Sequence, residues 1–312
     1  MTPIKIAIVG LGKIATDQHF PSLTASGDFE LVGAASPHGT LDGVRCFPSI
    51  EVLLREVPEV EAVALCTSPQ VRFEIARYAL EHGCHVLLEK PPGVTVSEVL
   101  ALEDIARRQG VTLFASWHSR HAPAVEPARA WLADRKILGV TVTWKESVRV
   151  WHPGQKWLWQ AGGLGVFDPG INALSIVTRL IPDALVLREA ELQFPSNCQT
   201  PIGARLLLIG PKGLKTQVEL DFTQELNLES PQTWDISVAT DVGVLHLSMG
   251  GKSLSIDGQI IYTPQATEYA NLYAHFAELV RGRQIDVDVS PLQLVADAFL
   301  SGRHVEVADY VE

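Results

Sequence analysis

The chain has 312 residues, past the size at which one hydrophobic core usually keeps growing, and its 46% hydrophobic content is enough for two. Its 36 acidic against 25 basic residues leave a formal charge of −11 with no Lys/Arg cluster to offset it, which excludes nucleic acid and anionic membrane as partners. No apolar run approaches the roughly 20 residues that span a bilayer, and no signal-peptide pattern precedes the first strand, so a cytoplasmic protein is predicted.

Ile4 to Val9 reads as a buried strand, and Gly10-Leu-Gly12-Lys13-Ile14-Ala15 follows it at once. This is the G-x-G-x-x-A dinucleotide fingerprint: the first glycine makes a tight turn, the second lets backbone approach a pyrophosphate, and the alanine permits close helix packing. The phosphates then lie on a helix N-terminus. Phe29 to Ala35 is the second strand and delivers Ser36-Pro37-His38. An acidic residue there would bind a ribose 2′-hydroxyl and an Arg a 2′-phosphate; neither is present, so NAD and NADP both stay open. Pro37, standing where a phosphate-binding Arg could be, tips the choice toward NAD. Gly10, Gly12, Lys13, Ile14, Ser36 and His38 are the expected cofactor contacts, with Glu89 and Lys90 further on.

The units keep alternating. Ser49 to Glu56 is helix-like, Ala62 to Cys66 a strand, Val71 to His82 a helix stopped by Gly83, and Cys84 to Leu88 a strand. That strand ends at Glu89-Lys90, where Pro91 and Pro92 forbid a further ladder bond. An ammonium at the carboxyl end of a parallel strand points at whatever occupies the crevice there. Thr95-Val-Ser-Glu98 has capping-box spacing and opens a helix running to Gly110, and Val111 to Ala115 is a last short strand before Trp117-His118. Residues 1–120 are thus expected to be an α/β Rossmann domain with a doubly wound parallel sheet.

Residues 121–312 are expected to form an α+β substrate-binding and oligomerisation domain. After a helix-like Ala122 to Ala133, longer alternating strands follow at Val140–Val148, Leu185–Phe194, Gly203–Ile209, Leu214–Phe222, Trp234–Ala239, Gly243–Met249 and Ser253–Ile256. They predict one open, mainly antiparallel sheet with helices at Pro169–Leu180, Tyr269–Arg281 and Pro291–Ser301 mostly on one face. Trp151 to Trp159 places three of the seven tryptophans in nine residues of expected loop, either a satellite core or a wall for a sugar ring. Gly162-Gly-Leu-Gly165 leads to Asp168-Pro-Gly-Ile-Asn172; Asp168 is placed to N-cap a helix, and Asn172 shares its face. The glycines there suit packing against a flat ligand. Cys46, Cys66, Cys84 and Cys198 lack C-x-x-C spacing, so neither disulfides nor a metal site is expected.

Gly10 to Ala15, His19-Phe-Pro21, Glu89-Lys90-Pro91 and Gly165-Val-Phe-Asp168-Pro-Gly-Ile-Asn172, in this order, resemble the glucose-fructose oxidoreductase/inositol dehydrogenase (Gfo/Idh/MocA) family. The resemblance covers essentially the whole chain and implies a Rossmann domain, an open-sheet domain and an active site between them. The segments around His118, Glu146, Trp151 and Asp168 are similar to the sugar 1-dehydrogenases of that family, which act on L-arabinose and D-galactose. Oxidation of such an aldopyranose at C1 to its lactone is therefore implied, with Lys90 and Asp168 handling charge and proton and Asn172 orienting the sugar. Many family members carry a His where this chain has Asn172. By the same resemblance His118, Glu146, Trp151 and Trp234 are sugar contacts, and a homo-oligomer, a dimer, is expected. Glu146 has an alternative as the exposed face of a strand, and His118 as a satisfied strand-end His. Two other functions fit the same scaffold: dehydrogenation of another polyol or sugar acid, and dinucleotide-dependent sensing without turnover.

Overall fold

Short, mostly apolar strands make the first sheet, with β4, β5 and β6 buried on both faces: β1 (Ile4–Val9), β2 (Phe29–Ala35), β3 (Cys46–Phe47), β4 (Ala62–Leu65), β5 (His85–Glu89) and β6 (Leu113–Ser116). All pair in parallel in the order β3-β2-β1-β4-β5-β6. The computed structural model describes residues 2–181, 183–223, 232–262 and 267–311. The direction of winding reverses between β1 and β4, so the crevice outside their carboxyl ends is where a doubly wound sheet takes a ligand. Helices Ile50–Glu56, Pro69–Glu81 and Val96–Gln109 connect the strands. The last is capped as its sequence directs. Thr95 accepts the amide of Glu98 at 3.2 Å, Glu98 accepts the amide of Val94 at 2.9 Å, and Gly110 closes the helix at φ 65°.

The second sheet has nine strands: β7 (Ile137–Glu146), β8 (Val186–Pro195), β9 (Gly203–Ile209), β10 (Lys215–Asp221), β11 (Gln232–Thr240), β12 (Gly243–Ser248), β13 (Ser253–Ile256), β14 (Gln259–Tyr262) and β15 (Arg303–Val307). Their order is β14-β13-β12-β11-β7-β10-β9-β8-β15. Neighbours run antiparallel except β7 with β10 and β8 with β15, so the sheet is mixed and mainly antiparallel. Helix Phe167–Leu180 is buried along most of its length. Gly170 lets it come close to the sheet, since a Cβ there would meet Leu220 Cδ1 at 2.4 Å.

The chain divides into two compact units, but a single cut after residue 120 does not describe them. The first unit is Met1–His118 with Thr267–Val289; the second is Ser119–Ala266 with Ser290–Glu312. Helix Glu268–Gly282, expected in the second domain, instead packs Tyr269, Leu272, Tyr273, Phe276 and Leu279 into the core beneath β1, β4 and β5. Its apolar stripe says only that it needs a core, not which one. Other expectations shift locally. The tryptophan-rich segment is not all loop, since Val148–Trp151 and Lys156–Trp159 are short helical turns. Asp168 is not an N-cap: the helix begins at Phe167, with Val166 as its cap, and Asp168 lies inside the first turn. Gly163 and Gly165 are small because of the chain itself. A Cβ on either would meet a backbone carbonyl at 2.3 Å, of Trp157 and Pro201 respectively.

Candidate active site

Gly10 sits at φ 91° at the end of β1, and a Cβ there would meet the Thr67 amide at 2.7 Å, so the turn between β1 and the following helix tolerates no side chain. Gly12 is different: nothing lies within 4 Å of its Cβ position. That open space over backbone at the start of a helix is where a pyrophosphate fits, and these residues therefore suit a dinucleotide. Ala15 is fully buried and Ile14 packs against the same core. Lys13 is exposed and pairs with Asp17, which that contact holds below its usual carboxylate range. At the end of β2, Ser36 accepts the amide of Gly39 at 3.1 Å, and His38 is exposed.

Glu89, the last residue of β5, is 3% exposed and collects hydrogen bonds. Its Oε1 accepts from Tyr269 at 2.6 Å and faces His19 Nε2 at 3.1 Å, while Oε2 accepts the backbone N–H of Lys90 at 2.7 Å. His19 Nδ1 in turn meets the Tyr273 hydroxyl at 2.7 Å. Burial pushes the Glu89 carboxyl up, but the His19 hydrogen bond, the His118 and His19 charges and Tyr269 outweigh it and hold the group well below the usual range. Burial opposes the His19 imidazolium, and Cys66, Tyr273 and Glu89 outweigh that in turn, raising His19 well above its ordinary value. Glu89 is thus an ionised support beneath the Lys90 backbone. His118, 9% exposed, stacks on Tyr269 and places Nδ1 3.2 Å from Glu268. Burial lowers its pKa, yet the Glu268 carboxylate more than compensates and the net shift is upward.

Arg72 is a residue that sequence reasoning missed. It is 2% exposed and donates to the carbonyls of Glu89, Pro91 and Thr67. One planar guanidinium thus fixes the backbone on both sides of Lys90 and ties it to the loop facing Gly10.

The second unit holds its own cluster. Along β7 the residues Val140, Val142, Trp144 and Glu146 share the buried face, so Glu146 does not lie on an exposed face; it is 2% exposed. Its Oε2 accepts from Trp234 Nε1 at 2.7 Å. Trp234 stacks on Trp144 with centroids 5.9 Å apart and leans on Trp151 at 5.0 Å. Trp151 remains 38% exposed, so these rings form an aromatic wall with one open member. Asp168 is 2% exposed and Asn172, one helical turn later, is half-buried. His152 links the two carboxylates: Nε2 lies 3.3 Å from Glu146 Oε1 and Nδ1 lies 3.8 Å from Asp168 Oδ2. It too was missed, although it directly follows Trp151. In sum, the structure gathers Glu146, Trp151, Trp234 and Asp168 in one unit, and Glu89, Lys90 and His118 with the glycine loop in the other.

Residues 4–116 match the GFO_IDH_MocA profile, an oxidoreductase family with an NAD-binding Rossmann fold. Over 312 residues the chain is 44% identical to galactose 1-dehydrogenase of Pseudomonas fluorescens, with 100% of both chains covered. A solved D-galactose-1-dehydrogenase from Rhizobium etli is 51% identical, with 100% of this chain and 99% of that one covered and a TM-score of 0.94. KijD10, a 3-ketoreductase from Actinomadura kijaniata, shares the fold: 19% identity, TM-score 0.82, 98% of this chain and 100% of that one.

Proposed function

Because the chain belongs to the Gfo/Idh/MocA oxidoreductase family, we propose that it oxidises an aldopyranose, D-galactose or L-arabinose, at C1 to the lactone with NAD or NADP. The full-length similarity to galactose 1-dehydrogenase carries this reading. The two sugars share ring stereochemistry and differ in the exocyclic hydroxymethyl group, so one pocket accommodates both. A bound nicotinamide dinucleotide would supply the acceptor for the C1 hydrogen and its electron pair; everything else falls to this chain. Lys90 supplies a fixed cation for the developing alkoxide, and Asp168 takes the hydroxyl proton. Asn172 cannot titrate, so its part is to orient the sugar. Trp151 and Trp234 offer faces to the ring's C–H groups, and His118 and Glu146 bond its hydroxyls. In solution the chain is, on this reading, a homodimer joined across the exposed face of the nine-stranded sheet, which carries Thr141, Arg205 and Gln217.

The test is an absorbance assay for reduced nicotinamide with NAD or NADP against L-arabinose, D-galactose, D-glucose, D-xylose and myo-inositol. Turnover confined to L-arabinose and D-galactose is expected; turnover of myo-inositol alone would overturn the assignment. Asp168→Ala should lose about two to four orders of magnitude in kcat, the usual worth of a general base.

A further inference from the structure

His152 stands between two carboxylates that are almost wholly out of solvent. The Glu146 and Asp168 side chains are each 3% exposed, whereas that of His152 is 18% exposed. Among the described residues these are the ionisable groups facing its ring, Glu146 from β7 and Asp168 from helix Phe167–Leu180; Phe222 covers it with centroids 5.5 Å apart. A carboxylate facing Nε2 favours the tautomer that keeps its proton there. Nδ1 then presents a lone pair toward Asp168. That atom is buried and has no hydrogen-bond partner, a state that costs free energy and calls for a reason.

The chemistry proposed for Asp168 supplies one. A carboxylate that takes a proton in every turnover must lose it before the next, and Asp168 has almost no surface through which to do so. We propose that His152 carries this proton from Asp168 to solvent, an inference that rests on the reading of Asp168 as the base. The sugar O–H bond breaks as the Asp168 O–H bond forms, and the two electrons leave C1 with its hydrogen for the nicotinamide dinucleotide. The new acid O–H and Nδ1 lie 3.8 Å apart, and a small side-chain rotation brings them within hydrogen-bond reach. Transfer restores the carboxylate and gives an imidazolium flanked by Asp168 and Glu146. The partly exposed ring then releases one proton to water, and exchange with water through the same cation restores the Nε2–H tautomer. One proton reaches solvent per sugar oxidised. His152 acts through Asp168 and touches no reacting carbon, so it is a positioning and relay residue.

The experiment compares His152→Asn, His152→Gln and Asp168→Ala with the full-length parent chain on D-galactose and NAD or NADP. Thermal unfolding and dinucleotide binding serve as checks on the fold. Both His152 variants should lose about a hundred-fold in kcat at neutral pH, the low end of what acid–base catalysis supplies, with little change in KM. Added imidazole should restore much of the loss in a saturable way, and the solvent deuterium isotope effect on kcat should rise. A folded His152 variant with the parent's kcat and pH profile, or a loss that imidazole leaves untouched, overturns the relay. Parent-like turnover by Asp168→Ala would instead defeat the base assignment. An inactive Asp168→Ala beside fully active His152 variants would defeat the relay alone.

Discussion

Lys90 owes its position to Arg72, which grips the carbonyls of Glu89 and Pro91 while holding that of Thr67. A lysine at the same place keeps the charge and three donors, but on one nitrogen, so it cannot span the carbonyls that Arg72 reaches from two separate nitrogens of its planar fork. Arg72→Lys should therefore lower stability by about 2 kcal/mol, the scale of a charged hydrogen bond lost in a buried setting, and reduce kcat as the Lys90 segment loosens. Differential scanning calorimetry and the sugar assay would measure the two effects; an unchanged Tm would show that the carbonyls have other support. Nothing in the sequence announces this role, because an Arg on an amphipathic helix ordinarily faces solvent. The burial of Glu146 is legible in the sequence. Val140, Val142 and Trp144 recur at every second residue, and Glu146 continues their phase, so the alternation itself places a carboxylate on the buried face. His152 carried no comparable signal: the two carboxylates it joins lie on separate elements of the fold.

Among the elements, the turn from β1 into its helix contains two glycines with different duties. Gly10 is required by the protein, since a Cβ would strike the Thr67 amide and the residue sits at φ 91°. Gly12 has free space around its Cβ position, so the reason for a glycine there must come from a ligand. Gly12→Ala should thus keep the parent Tm and weaken dinucleotide binding, whereas Gly10→Ala should lower the Tm itself. Fluorescence titration beside thermal unfolding separates them, and equal Tm losses would erase the distinction. Fingerprint, capping-box and alternation signals located most elements because each is set by a few consecutive residues. The strands the sequence reading passed over, β3, β14 and β15, are two to five residues long. All three are edge strands with no fully buried residue, so no buried face imposes an apolar pattern, and pairing with a neighbour decides the conformation.

At the scale of the molecule, the first unit is assembled from two distant stretches of chain, and its buried polar network records the join. His19 comes from the N-terminal motif, Glu89 from β5, and Tyr269 and Tyr273 from helix Glu268–Gly282. The depressed Glu89 contributes stability that is fully present above its ordinary value of 4.5 and lost as pH falls through the folded value. The raised His19 contributes stability that is fully present below 6.5 and lost as pH rises through its folded value. The advantage of the parent chain over Glu89→Gln in Tm should accordingly be greatest between those two values and narrow on either side; a flat difference across pH would mean the pair is not ionised. The same join makes residues 1–118 incomplete on their own. Six large side chains of the distant helix, Tyr269, Leu272, Tyr273, Phe276, Leu279 and Val280, are buried in the core under the parallel sheet. At about 1.5–3 kcal/mol each, their loss is comparable with the roughly 5–15 kcal/mol that holds a whole domain folded. Removing Tyr269 and Tyr273 also strips Glu89 and His19 of hydroxyl partners in a place water does not reach. A fragment ending at His118 should show no cooperative thermal transition, and adding a peptide spanning residues 267–289 should restore one. Cooperative unfolding of the fragment alone would mean that the six strands suffice, and that the helix completes the unit without being needed to hold it.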